Sequence, residues 1–417
     1  MTFNGDELIT AIQDNDIERV HQLIANESID INSQDYNGWT PLFHACCEGR
    51  LEIVQLLLSS SKIHDINYRD KDDETVFFVA CENGREEIVR YLLEKEEMNE
   101  VIDVNRGNID GWTPLMAACE NNDVGMVEIL LGSERINVNQ VNENGCNVFY
   151  VACEMNHLEV VERLLKSERE VEMNQGNVYG KTPLMICCEN GCKEIVKVLL
   201  GILTEEEMNV GDVDKKTAFY IACENEHLDV VEIMLQNKNV DVNKANGEGW
   251  TPLMIACFLN NYLIVQSLLD DLRVNVNAGN KNQCTALYIA CSNNSLNSVK
   301  ALCRNINIDI NKKNNVGWTP LMTICTHGEV EVVKWILAVW SNLNFIEMGG
   351  KTTLDWGRKA EMNELVQLLG SFEKDPATTR RDLRKELKFS GITFFSFFFF
   401  LVFFKKVYSI KLINKNR

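Results

Sequence analysis

The chain has 417 residues, 45% of them hydrophobic, and a net charge of −20 at pH 7. That is apolar enough to build a buried core, and a field this negative disfavours nucleic acid and favours basic proteins or peptides as partners. The charge is uneven: residues 371–417 hold 11 Lys and Arg against 4 Asp and Glu, a net of +7, which leaves −27 on residues 1–370.

The opening stretch, MTFNGDELIT, has neither a basic start nor an apolar run, so no secretory leader is expected. Within residues 6–24, Ala11, Val20 and Leu23 mark a degenerate first copy of a unit that then recurs, and residues 1–31 read as an N-terminal capping unit. Full copies are anchored at Thr40, Thr75, Thr113, Asn147, Thr182, Thr217, Thr251, Thr285, Thr319 and Thr352, with steps of 33 to 38 residues. A fixed period in this range is the mark of a solenoid.

The grammar of one unit is legible in residues 111–131, GWTPLMAACENNDVGMVEILL. Thr113 suits a helix N-cap, and Pro114 suits the first helical position, where a missing N–H costs nothing. A short apolar helix is predicted to end near Glu120. Gly or Asn nine residues after most anchors, as at Gly49, Gly84 and Asn122, predicts a left-handed stop, although Glu226 breaks the rule. A second helix follows, with Val fourteen residues after every anchor, from Val54 to Val366, on an apolar face. Asn eight residues before every anchor, from Asn32 to Asn344, and Gly two before most of them predict a turn-rich finger that opens each unit.

This grammar resembles the ankyrin repeat over roughly residues 1–370, with the TPL part of the signature kept and its His replaced by Phe, Met or Tyr. The resemblance implies an all-α repeat solenoid: helix-turn-helix units with hairpin-like fingers, about eleven including caps at 1–31 and 345–370. Units reading TPLM alternate with units reading Y-V-A-C or a close variant, so the full period is a pair of repeats. Nine cysteines stand six residues after an anchor, where the family usually has Ala, and so act as small core residues. Repeats stack about 10 Å apart, beyond disulfide reach, so a reducing, cytoplasmic setting is expected. Cys146, one before its anchor, is expected on an exposed turn.

The family resemblance also implies that partners meet the face made by finger tips and first helices, at places three and four before the anchor, one before it, and seven and eight after it. One before the anchor stand Trp39, Trp112, Trp250 and Trp318; seven after it stand Glu82, Glu120, Glu154, Glu189 and Glu224. Stacking turns the glutamates into an acidic ladder, while Trp either anchors a partner or braces the turn. Phe258 and Leu259 replace the usual polar pair and suggest a local apolar contact. Asn243, with Asp241, Val242 and Leu235 upstream, best fits the family's Asn-hydroxylation pattern, though a turn role alone explains it.

Gly350-Lys351-Thr352 lacks the upstream Gly of a phosphate loop, since Phe345 stands there. Cys187, Cys188 and Cys192 lack a fourth ligand and zinc-site pair spacing. No spacing supports catalysis, a cofactor or a metal. Insertions around 96–100 and 204–207 read as acidic loops. Residues 371–388 read as a basic linker in which 380–388 form a short helix, 389–404 as a 16-residue apolar segment with nine Phe, and 405–417 as a basic end; residues 380–417 are expected not to pack on the repeats. The whole reads as a monomeric, non-enzymatic scaffold for basic protein partners. The alternative is a membrane-tethered adaptor anchored through residues 389–404, although 16 residues fall short of the roughly 20 that a spanning helix needs.

Overall fold

The computed structural model describes residues 6–60, 62–94, 102–305, 307–327, 330–340, 343, 352–359 and 361–388. The insertion at 96–100, the start of the last expected unit (345–351), the Phe-rich segment 389–404 and the basic end 405–417 lie outside them. The chain divides into two compact units, Met1–Leu203 and Thr204–Arg417. Among the described residues the regular elements are helices.

Each repeat contributes two helices, and each kind packs on its own kind. In the first unit the first helices Pro41–Cys47, Val76–Glu82, Pro114–Glu120, Val148–Glu154 and Pro183–Asn190 stack in order. Their second helices, from Leu51–Ser59 to Lys193–Ile202, form a parallel layer. The second unit repeats the two layers, with first helices from Ala218–Glu224 to Thr353–Lys359. Capping works as the spacing predicts. Thr113 Oγ1 accepts the Met116 N–H at 3.3 Å, and Asn147 Oδ1 does the same for Tyr150 at 2.9 Å. The nine-after place is left-handed at Gly49, Gly84, Asn122, Asn156, Gly191, Asn260 and Asn294. Glu226 also adopts φ 62°, so that copy keeps the turn and carries its steric cost.

The core lies between the layers. Val54, Val89, Val127, Val161, Val196, Val231, Val265, Val299 and Val333 are fully buried, and so is each of the nine register cysteines. Val366, in the last repeat, is only half-buried. Cys146 departs from expectation: it is 5% exposed, tucked into the finger below the Asn142 side chain, which accepts its N–H.

The fingers are held by side chains that imitate backbone. The residue five before the anchor accepts two N–H groups of its own turn; Asn108 Oδ1 takes those of Asp110 and Trp112. Neighbouring tips join by single backbone bonds, such as Ile109 N–H to Asp72 O at 2.9 Å and Glu143 N–H to Asp110 O at 3.1 Å. The Asn eight before the anchor does more than turn the chain. Asn105 donates to Arg135 O at 2.8 Å and accepts the Asn137 N–H at 2.6 Å, both in the next repeat. Asn139, Asn209, Asn243 and Asn277 make the same two bonds. Asn243 is thus fully explained as a bridge between repeats.

Two stretches differ from their expected forms. Residues 205–208 form a helical turn closed by a reciprocal Thr204–Glu207 cap, with Met208 buried. Residues 371–388 are not a linker. Helix Asn363–Lys374 continues through their start, Asp375 caps the next helix with Pro376 at its first position, and Pro376–Glu386 packs on Val330–Val339. Leu383 is buried there, Arg384 Nε donates to Ala338 O at 2.8 Å, and Arg380 donates to Trp340 O at 3.2 Å. Residues 380–388, expected to stand off the repeats, therefore cover the last of them. The reason is that the carbonyls ending helix Val330–Val339 need donors, and two arginines one turn apart reach them.

Candidate partner-binding face

In the repeats of Thr182, Thr217 and Thr251 the places one before and seven after the anchor meet at the flank of the first helix. Lys181 Nζ bonds Glu189 Oε2 at 2.6 Å. Lys216 Nζ bonds both oxygens of Glu224 at 2.9 and 2.8 Å and lies 5.8 Å from the Tyr220 ring centroid. Trp250 meets Phe258 edge to face, with ring centroids 5.7 Å apart. These contacts follow from geometry. A capped first turn fixes the residue before the cap, and a helix of seven residues brings its last side chain back above it.

In the first unit Glu82, Glu120, Glu154 and Glu189 sit one per repeat, Glu82 and Glu120 exposed and the other two half-buried. Their carboxylates feel one another. Partial burial, then Glu120 and Asp70, push the Glu82 carboxyl upward. Partial burial, then Glu189 and Glu120, do the same for Glu154, against the pull of Lys181. Glu189 and Glu224 each hold a lysine, so they are less free to meet a partner than Glu82, Glu120 and Glu154.

The tryptophans brace the turns while keeping one side open. Trp39, Trp112, Trp250 and Trp318 are half-buried, and each backbone N–H goes to the side chain four residues earlier. The Trp39 indole N–H also donates to Asp70 Oδ2 in the next finger at 2.8 Å. Phe258 and Leu259 remain 42% and 36% exposed.

Some residues on this face escape a search for Trp one before the anchor and Glu seven after it. Glu74 stands one before Thr75, where Lys181 and Lys216 stand in their repeats. Its carboxyl is pushed to about 8 by burial first, then by Glu82, Asp70 and Asp72. At the finger tips Tyr36 is 80% exposed, and Ile109, Val178 and Tyr179 are also exposed. Both sets follow from reading every residue at the register places three, four and one before the anchor.

Three observations bear on metals and anchors. Among the described residues no group of three or more Asp, Glu, His or Cys converges to hold a metal ion. Cys187 and Cys192 direct their thiols at Cys153 O, at 3.7 and 4.0 Å, as packed thiols do. No described helix is long and apolar enough to cross a membrane.

A family model for ankyrin repeats, built on three copies, matches residues 6–70, 61–142, 98–177, 125–203, 169–246, 201–280, 239–314 and 272–347. No characterised protein matches the chain. The overlapping matches run from the first helix to residue 347, over the same stretch as the caps, stops and bridging asparagines described above, and the chain belongs to the ankyrin-repeat family.

Proposed function

We propose that this protein is a non-enzymatic, monomeric scaffold that binds basic protein or peptide partners on the acidic first-helix face of residues 1–203. Ankyrin repeats are in general protein–protein interaction modules. The observation that supports the polarity of the partner is the row of Glu82, Glu120 and Glu154, none with a lysine one before its anchor; burial first, then repulsion by neighbouring carboxylates including Glu120, raises Glu82 and Glu154. A cationic partner relieves that repulsion, and aligned charge governs encounter rate and specificity. Cysteine in nine core places suits a reducing intracellular compartment. The tethered-adaptor alternative rests on residues 389–404, outside the described residues.

A labelled lysine octapeptide titrated into the full-length protein tests the proposal. Binding should weaken as salt rises. The Glu82→Lys, Glu120→Lys, Glu154→Lys triple variant should lose it while keeping its helical circular dichroism, since exposed charges contribute little to stability. Unchanged affinity in the triple variant would overturn the assignment.

A further inference from the structure

We propose that Glu74 and Glu82 form a subsite for one lysine or arginine side chain of a partner. The inference rests on the acidic-face proposal above and names the chemistry recognised at one place on it.

The protein's own repeats supply the comparison. In the repeats of Thr182 and Thr217 the chain fills this place itself. Lysine stands one before the anchor, glutamate seven after it, and the ammonium bonds the carboxylate at 2.6 Å in one and 2.8 Å in the other. The repeat of Thr75 keeps the acceptor, Glu82, and replaces the lysine by a second acceptor, Glu74. A cation is therefore missing from a place where two sister repeats hold one. Phe78, three after the anchor, takes the register place of Tyr220, whose ring lies beneath the Lys216 ammonium.

The surroundings do not supply the missing charge. Asp70 is already engaged: Oδ1 accepts the Asp72 and Glu74 N–H groups, and Oδ2 accepts the Trp39 indole N–H. Among the described residues neither the Glu74 nor the Glu82 carboxylate has a hydrogen-bond or ion-pair partner, and the other charges that bear on them are the carboxylates of Asp70, Asp72 and Glu120. Arg85, the nearby cation, is held by backbone instead, its Nε donating to Cys47 O at 2.7 Å, and it makes no ion pair with either glutamate. Burial first, and then these acids, raises both carboxyls. An extended ammonium is the cation that the sister repeats hold at this place, and a guanidinium has the same reach and charge.

Titration of the lysine octapeptide at low salt into full-length variants decides it. Glu74→Lys places in this repeat the lysine that its sisters have, and should fill the subsite from within. Affinity should then fall by about fivefold more than in Glu159→Lys, an equal charge change on an exposed second helix, because a half-buried ion pair is worth about 1 kcal/mol. The converse variant, Lys181→Glu, should empty its place and tighten binding. Equal losses in Glu74→Lys and Glu159→Lys, or no gain in Lys181→Glu, would overturn the subsite. If that happens while the Glu82, Glu120, Glu154 triple variant still abolishes binding, the acidic face stands and only the subsite falls. Absence of any salt-sensitive binding by the wild type removes both.

Discussion

At the residue scale, burial decides what each repeated side chain does. Cys119 is fully buried, and desolvation lifts its thiol. Cys119→Ser should cost about 1–3 kcal/mol in urea unfolding, because a hydroxyl would be buried without a ready partner. Cys119→Ala, nearer the family's usual residue, should cost less. The place of the signature His is served in two ways. Met185 and Met254 accept the N–H of their own cap residue through sulfur at 3.4 Å, whereas the Tyr150 and Tyr220 hydroxyls accept from Asn177 and Asn246 in the following repeat. Alternation of Met and Tyr is therefore an alternation of local and inter-repeat bonds, which no reading of single residues reveals. Glu74 carries a sign that can be measured. Its folded carboxyl titrates near 8, above the unfolded value near 4.5, so the folded state binds more protons between those limits. Stability should fall as pH rises through that window. Glu74→Gln should flatten the fall, as followed by thermal unfolding at several pH values, and an unchanged slope would mean that other groups carry it.

At the scale of elements, the helices are local in origin and the fingers are not. Thr or Asn at the cap, Pro at the first turn of half the copies and, in most, Gly or Asn at the stop define a first helix within nine residues, which is why their limits are legible in sequence. The Asn eight before the anchor looks like a turn residue at that range. Its work lies one repeat away, where Asn105 bridges the backbone of residues 135 and 137. Asn105→Ala should cost roughly 1–2 kcal/mol, since two hydrogen bonds between repeats, each worth about 0.5–1.5 kcal/mol, are lost. Asn174 occupies the same register place, but its Oδ1 is buried without a partner, so Asn174→Ala should cost clearly less. Equal costs for the two in denaturant unfolding would show that the bridge adds nothing. Helix Pro376–Glu386 was signalled by Asp375-Pro376, a cap followed by a first-turn proline, yet its basic composition suggested a linker. What makes it pack is the set of carbonyls ending Val330–Val339, supplied by another segment.

At the scale of the whole molecule, fifteen cysteines are divided between thirteen buried thiols and two half-buried ones, Cys47 and Cys284. A thiol reagent should therefore modify about two groups rapidly in the native protein and all of them in denaturant. Fast labelling of many more would show that the register cysteines are not core. Each repeat bonds mainly to its neighbours, through tip-to-tip backbone bonds and bridging asparagines, so a substitution in one repeat should lower amide protection there and beside it before elsewhere. The acidic charge lies on the same repeated framework, and a straight reading of register is enough to line it up.

The sequence by itself determined the repeat, its register, the helix limits and the apolar core, because each depends on spacings of one to fourteen residues and on caps, stops and periodicity that act locally. It also set the alignment of Glu82, Glu120 and Glu154, because stacking carries any register place from one repeat to the next. Only the tertiary structure decided which charges are already satisfied. Lys181 and Lys216 neutralise Glu189 and Glu224, while Glu74 leaves Glu82 without a cation. It likewise decided that Cys146 is buried and that residues 376–386 close the last repeat. These outcomes turn on which groups meet across a turn or between segments, and on the need of buried polar groups for partners, neither of which is written in the spacing of residues along the chain.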